Sequence, residues 1–180
     1  MIRIVVICLN LMVLSSCKNE SKEKESLPVE AVTTYYLIRH AEKDRSDSTN
    51  TNPALTERGL ERAQLWASYF DSIPLDKLYS TNYIRTQQTA QFISENKSLP
   101  IEIYDPKTLV TEEFKKKTKG QRILIVGHSN TTPMLVNHIL ETGTFEDIPD
   151  DDNSRLYIIQ IKKEKKSANI EKVELKKDTL

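Results

Sequence analysis

The run Ile123-Leu124-Ile125-Val126 narrows the fold more than any other feature of the chain. Four consecutive branched apolar residues leave no polar face, so a strand built from them must be covered on both sides, as in a parallel sheet. Thr33 to Ile38 (TTYYLI) is β-branched and aromatic and reads as a second buried strand. Shorter strands are predicted at Lys77 to Ser80 and Pro100 to Tyr104. Helical spacing lies between them. Thr56 is placed to cap a helix carrying Leu60, Ala63, Ala67 and Phe70. Tyr83 to Asn96 presents Ile84, Ala90 and Ile93 near one face. Lys107 to Lys117, broken by Gly120, and Thr132 to Glu141, ended by Gly143, complete the helices. Leu156 to Ile161 and Ile170 to Leu175 alternate well enough for a terminal hairpin. Strands alternating with helices predict a three-layer α/β/α sandwich, mostly parallel, with an antiparallel hairpin at its C-terminal edge. No repeat or second linker interrupts residues 32–180, which are read as one domain.

The first residues read differently. Met1-Ile2-Arg3 gives a short positive start, and Ile4 to Leu14 is apolar except for Asn10. That run is too short to span a bilayer comfortably and suits the core of a signal peptide. Leu14-Ser15-Ser16-Cys17 follows and resembles the lipobox of bacterial lipoproteins. The resemblance implies cleavage before Cys17, lipid on its thiol and a place in the bacterial cell envelope, outside the cytoplasm, with the membrane as partner. The plainer alternative is a secretory signal with a coincidental cysteine. Residues 1–16 are thus expected to be a signal peptide, and residues 17–31 (polar KNESKEKESLP at their centre) a lipidated cysteine and flexible tether.

Cys8 and Cys17 are the only cysteines, so the domain has no thiol for a disulfide, a nucleophile or a metal site. The chain has 26 basic and 26 acidic residues, a balance that argues against nucleic acid as a partner. Any anion must be recognised locally, by a few converging cations.

In open parallel sheets, sites form at the carboxyl ends of strands. Three predicted strands run into polar residues there: Arg39-His40, Ser80 with Arg85 soon after, and Gly127-His128. His138, mid-helix and without a partner motif, reads as packing or surface. Two histidines with two arginines suit phosphoryl transfer, where three equatorial oxygens must be held and neutralised in line with a nucleophile. Arginine binds two such oxygens with a planar fork that stays charged. Neutral imidazole is a nucleophile at physiological pH, and covalent capture divides one hard displacement into two easier ones. The arrangement requires neither cofactor nor metal.

These residues carry a resemblance. Arg39-His40-Ala41-Glu42 is similar to the RHG/RHA signature of the histidine phosphatase superfamily, which includes phosphoglycerate mutases. Leu55-Thr56-Glu57-Arg58-Gly59 looks like its LTxxG helix start, Ser80 to Ala90 resembles its SxxxRxxQTA segment, and Val126-Gly127-His128-Ser129 resembles its second-histidine strand end. The resemblance covers roughly residues 34–135 and implies a phosphoglycerate mutase-like fold. It implies that His40 is the phosphorylated nucleophile, that Arg39 and Arg85 bind phosphate, and that His128 is the second pocket histidine. Asn130 is either a pocket residue or a helix N-cap.

The general acid is not fixed by the resemblance. Mutase-type members carry a glutamate after the third strand, where Glu112 and Glu113 are candidates by location only. The His-Asp pair of the acid phosphatases is absent, since Ser129 follows His128. Glu42 is the candidate acid or base. In lacking a clear acid the chain resembles the small phosphohistidine phosphatases, whose imidazole leaving group needs little help. The leading expectation is a metal-independent phosphatase acting on a phosphorylated small molecule or envelope component. The rival is a non-catalytic phospho-ligand-binding envelope lipoprotein; a purely structural lipoprotein would leave the strand-end residues as coincidence. Lys115 to Lys117, Lys162 to Lys166 and Asp150 to Asp152 are expected to be solvated, although the lysines can also touch anionic headgroups.

Overall fold

The structure is a computed structural model that describes residues 31–176. The expected signal segment, Cys17 and nearly all of the tether lie outside the described residues. No helix among the described residues is long and apolar enough to cross a membrane.

Strands β1 (Val32–Arg39), β2 (Lys77–Ser80), β3 (Ile101–Ile103), β4 (Arg122–Gly127), β5 (Arg155–Lys162) and β6 (Lys165–Lys172) form one sheet in the order β3-β2-β4-β1-β5-β6. The first four run parallel, and β5 and β6 are antiparallel. Successive residues of a strand point to opposite faces, so the apolar runs of β1 and β4 feed two separate cores. Tyr35, Leu37, Ile123 and Ile125 pack with Phe114 of α3 (Glu112–Lys117) and with Leu135, Val136 and Ile139 of α4 (Thr131–Leu140). Tyr36, Ile38, Leu124 and Val126 pack with Trp66 and Phe70 of α1 (Glu57–Phe70) and with Ala90 and Ile93 of α2 (Ile84–Lys97). Helices thus cover both faces of a sheet whose central strands are buried, as the three-layer expectation requires.

Local chemistry sets the element ends. The Thr56 hydroxyl accepts from Gly59 N at 3.1 Å and caps α1. A side chain at Gly59 would sit 2.1 Å from the Glu42 carbonyl oxygen, so only glycine lets α1 start against the turn that follows β1. Gly120, with φ +78°, makes the left-handed turn before β4.

Some expectations shift. Leu60 and Ile84 are exposed, although their spacing assigned them to the core. The helix expected over Lys107 to Lys117 begins only at Glu112, because Thr111 caps it by accepting from Phe114 N, while Asp105 holds the preceding residues in a turn. Glu141, not Gly143, takes the left-handed conformation that ends α4. The last strand starts at Lys165 rather than Ile170. A tight turn with Lys163 at φ 55° pairs Lys162 with Lys165, and this edge strand is too exposed for hydrophobic alternation to mark its charged first half.

Candidate active site

The carboxyl ends of β1 and β4 lie side by side, Arg39 opposite Gly127, and deliver His40 and His128 together. The rings meet edge to face with centroids 5.5 Å apart. Around them opens a cavity of about 550 Å³ whose wall includes Arg39, His40, Lys43, Tyr83, Arg85 and His128.

Hydrogen bonds fix both tautomers. His40 Nδ1 lies 2.7 Å from the Ala41 carbonyl oxygen, which can only accept. Nδ1 therefore carries the proton and Nε2 the lone pair. The backbone under this ring is pinned from three sides. His40 N donates to Gly127 O, Asn153 Nδ2 donates to His40 O at 2.8 Å, and Ala41 N donates to Thr89 Oγ1 at 2.9 Å. In turn Thr89 donates to the Arg85 carbonyl at 2.7 Å, tying α2 to the turn that follows His40. For His128, the Thr86 hydroxyl donates to backbone carbonyls and the Thr81 hydroxyl donates to Thr86 Oγ1. Thr81 Oγ1 must then accept from His128 Nε2, 2.9 Å away. His128 Nδ1 is left as an acceptor facing Arg85 Nη2 at 3.4 Å.

Burial, reinforced by the nearby arginines, pushes the His40 imidazole down to about 3 and the His128 imidazole down to about 4. Charging either ring would cost hydration and add a cation beside guanidinium groups. Both rings are neutral at ordinary pH.

The two arginines supply the charge. Arg39 is almost fully buried; its Nη1 donates to the carbonyls of Pro149, Asp150 and Asp152, and its Nη2 to Asp150 Oδ1 at 2.7 Å. Arg85 stacks over Tyr83, 4.4 Å from the ring centroid, and Tyr83 meets His128 edge to face. Arg39 Nε and Arg85 Nε and Nη1 are buried N–H donors without a protein acceptor. Such orphans are rare and mark a place for an oxyanion.

The sequence-predicted residues divide at this point. Arg39, His40, Arg85 and His128 are brought together. Asn130 lines the cavity while its side chain also accepts from Thr131 N, so both readings of it describe one geometry. Glu42 is not brought in. Its carboxylate pairs with Arg62 Nε at 2.8 and 2.9 Å, away from the cavity wall, where it serves the packing of α1. Glu112 lines a different cleft, near the amino end of β1, and ion-pairs with Lys115, and the exposed Glu113 is not part of the cavity wall either. His138 is exposed on α4.

Asp150 and Asp151 lie in an exposed turn, as expected, but carboxylates of this segment also engage arginines. Asp150 bridges Arg39 and Arg45, at 2.7 and 2.9 Å, and Asp152 pairs with Arg155 at 2.7 Å. Residues that the sequence reading missed also reach the site. Lys43 and Asp105 line the cavity, Thr81 sets the His128 tautomer, and Asn153 holds the His40 backbone. Thr89 carried a signal, inside the QTA segment. Asn153 carried none.

A family model described as histidine phosphatase superfamily (branch 1) matches residues 35–106, which bring His40, its arginines and α2 under one pattern. Over those residues the chain is similar to the histidine phosphatase superfamily. Phosphoserine phosphatase 1 of Hydrogenobacter thermophilus is 30% identical to it over 109 residues, 58% of this chain and 44% of that relative. The match thus spans less than half the length of that curated relative. Among solved structures, the protein histidine phosphatase SixA complexed with tungstate superposes with TM-score 0.60 at 15% identity, over 76% of this chain and 94% of that one. The alpha-ribazole phosphatase from Shigella flexneri gives TM-score 0.59 at 18% identity, over 76% and 95%. At these identities the two structures establish the fold, a mixed α/β sheet covered by helices as in phosphoglycerate mutase-like phosphatases.

Proposed function

We propose that the chain is a metal-independent phosphatase that hydrolyses a phosphomonoester, or a similar phosphoryl group, through a phosphohistidine on His40. One observation carries the reading: a neutral His40, its proton fixed on Nδ1, presents the Nε2 lone pair in a cavity lined by unpartnered guanidinium N–H groups. Similarity to the superfamily and the named phosphatase relative support it.

The chemistry follows from the parts. Arg39 and Arg85 hold the phosphoryl oxygens, and Nε2 attacks phosphorus as the bond to the leaving oxygen breaks. The proton on Nδ1 stays with the Ala41 carbonyl, so the phosphorylated ring is cationic and leaves readily in the second step. Water then attacks phosphorus, inorganic phosphate departs, and Nε2 recovers its lone pair. His128 spans the second arginine and the Thr81 hydroxyl and lies beside the transferred group. With Glu42 engaged by Arg62, the carboxylates of the cavity wall are Asp105 and Asp150, and Asp150 is committed to two arginines. Such a site favours leaving groups that need little protonation.

The same proposal places the protein in the bacterial cell envelope, anchored through lipid on Cys17, a reading supported by the Leu14-Ser15-Ser16-Cys17 sequence. Loss of fatty-acid labelling in Cys17→Ser checks it.

The test of catalysis is hydrolysis of para-nitrophenyl phosphate in excess EDTA beside His40→Ala. Turnover should persist in EDTA and fall by about a thousandfold or more in the mutant. An acid-labile phosphate on His40, seen by mass spectrometry after rapid quenching, should accompany it. Phosphate or vanadate binding without turnover of any phosphorylated compound would instead make the chain a phospho-ligand-binding protein.

A further inference from the structure

The charge of this chain balances overall yet is unevenly placed. Lysines gather at the end of the sheet opposite the cavity. Three segments meet there because the strand registers bring them together. Val32, the first residue of β1, is opposite Lys162, and Lys162 pairs with Lys165 across the hairpin turn. Thr34 is opposite Arg122, so the turn that follows α3 lies beside the same strand end. The lysines of residues 115–119 and of residues 162–166 therefore flank the point where the chain enters the fold. Ala31, Lys115, Lys119, Lys163 and Lys166 line one cleft of about 420 Å³. Gly120 packs so closely on Ala31 that an added side chain would stand 3.2 Å from the Ala31 Cβ. Glu112, Glu141 and Glu164 line the same cleft and offset part of this charge: Glu141 pairs with Lys166 at 2.7 Å and with Lys115 at 3.3 Å, and Glu112 with Lys115 at 2.9 Å. Lys116, Lys117, Lys119 and Lys165 remain exposed around it.

We propose that this lysine-rich end docks on the anionic phospholipid surface that carries the Cys17 lipid, holding the catalytic cavity away from the membrane. The proposal rests on the lipoprotein reading given above. The chain between Cys17 and Ala31 reaches at most on the order of 50 Å when fully extended. It joins the domain at the lysine-rich end, so that end is delivered to the headgroups first. Lysines near an anionic surface are attracted within roughly a Debye length. The cavity lies at the far ends of β1 and β4, about 25 Å away along an eight-residue strand. An enzyme so oriented would meet substrates arriving from the aqueous side, not phospholipids of its own leaflet.

The experiment uses the full chain, matured in cells, purified in detergent and reconstituted into vesicles. Ser167→Cys near the hairpin turn and Ser48→Cys in the loop beside the cavity each carry an environment-sensitive dye, because residues 18–180 contain no cysteine. With headgroup-quencher lipids, the dye at position 167 should be quenched in phosphatidylglycerol vesicles. The quenching should be lost in phosphatidylcholine vesicles, in high salt, and in the variant combining Lys116→Glu, Lys119→Glu and Lys165→Glu. The dye at position 48 should stay unquenched throughout. Equal quenching at both positions, or quenching indifferent to lipid charge and salt in the unreversed chain, overturns the proposal. Failure of the anchor itself shows separately, as a Cys17 mass without lipid and no retention on neutral vesicles, and removes the proposal with its premise.

Discussion

Arg39 and Arg85 line the same cavity and are held in opposite ways. The Arg39 wall is knitted into the fold: its guanidinium gathers three carbonyls and a carboxylate from residues 149–152, leaving Nε over. The Arg85 wall is loosely furnished. That guanidinium rests on the Tyr83 ring, reaches His128 with one nitrogen, and leaves Nε and Nη1 without protein acceptors, while burial lowers its hold on its proton. A buried cation with satisfied donors supports structure, whereas one with unsatisfied donors costs stability that a bound anion returns. One arginine therefore builds the site as well as serving it, and the other mainly serves it.

The sharpest way to break this contrast is to truncate each arginine. Arg39→Ala and Arg85→Ala should each lower kcat/KM by about a hundredfold to a thousandfold. Only Arg39→Ala should also lower the unfolding free energy substantially, by about 2 kcal/mol, because it removes the buried guanidinium that ties residues 149–152 to β1. Urea melts that shift equally for both variants would erase the distinction.

Acid titration of the two imidazoles comes next. In the folded chain His40 and His128 take up protons only near about 3 and about 4, whereas the unfolded chain does so near the ordinary 6.5. Below 6.5 the unfolded state binds more protons. The stability these rings permit is thus complete above 6.5 and drains away as pH falls toward their folded values, by up to about 1.4 kcal/mol per pH unit for each ring. Replacing His128 with Gln should flatten part of that slope in melts between pH 6.5 and 4. Once substrate ionisation near pH 6 is divided out, kcat/KM should hold down to about pH 4; a histidine-dependent loss near 6.5 would contradict the buried, neutral ring.

A smaller effect separates Glu42 from the cavity. Glu42→Gln should cost about 1–2 kcal/mol of stability through Arg62 while changing kcat by no more than a few-fold. A hundredfold loss with an altered pH profile would return Glu42 to the chemistry. The smallest effect is at Asp150, whose carboxylate is held down to about 2 by Arg45 and Arg39 and is largely exposed. Asp150→Asn removes a negative charge beside the phosphate cradle, so vanadate should bind a few-fold tighter, as measured by calorimetry.

The contrast also explains what could be read without coordinates. The Arg85 side was legible, because α2, β4 and their polar ends are short-range features with strong patterns: β2 falls on Lys77–Ser80 as expected, and the apolar run 123–126 lies inside β4. The Arg39 side was legible only at the arginine itself. Its partners sit in a loop far along the chain, where Asp150 to Asp152 looks like any solvated acidic turn until the fold sets it against a buried guanidinium. Glu42 misled for a related reason. Two residues past His40 it is close in sequence, but Arg62, on a helix that Gly59 allows to approach, draws its carboxylate aside. Thr56 and its cap were visible, being local; the start of β6 was not, since an exposed edge strand has no apolar face to announce it.

The strand order has a consequence in time. β1 is made first but lies in the middle of the sheet, between β4 and β5, which are made much later. The segment that grips Arg39 follows β4, and Asn153, which holds the His40 backbone, follows that segment. A growing chain that already contains His40, Arg85 and His128 still has no finished cradle. Wherever the chain folds, the surroundings of His40 are complete only after residues 149–153 have joined the sheet, so the last-made part of the polypeptide finishes a site whose first residue was made near its start.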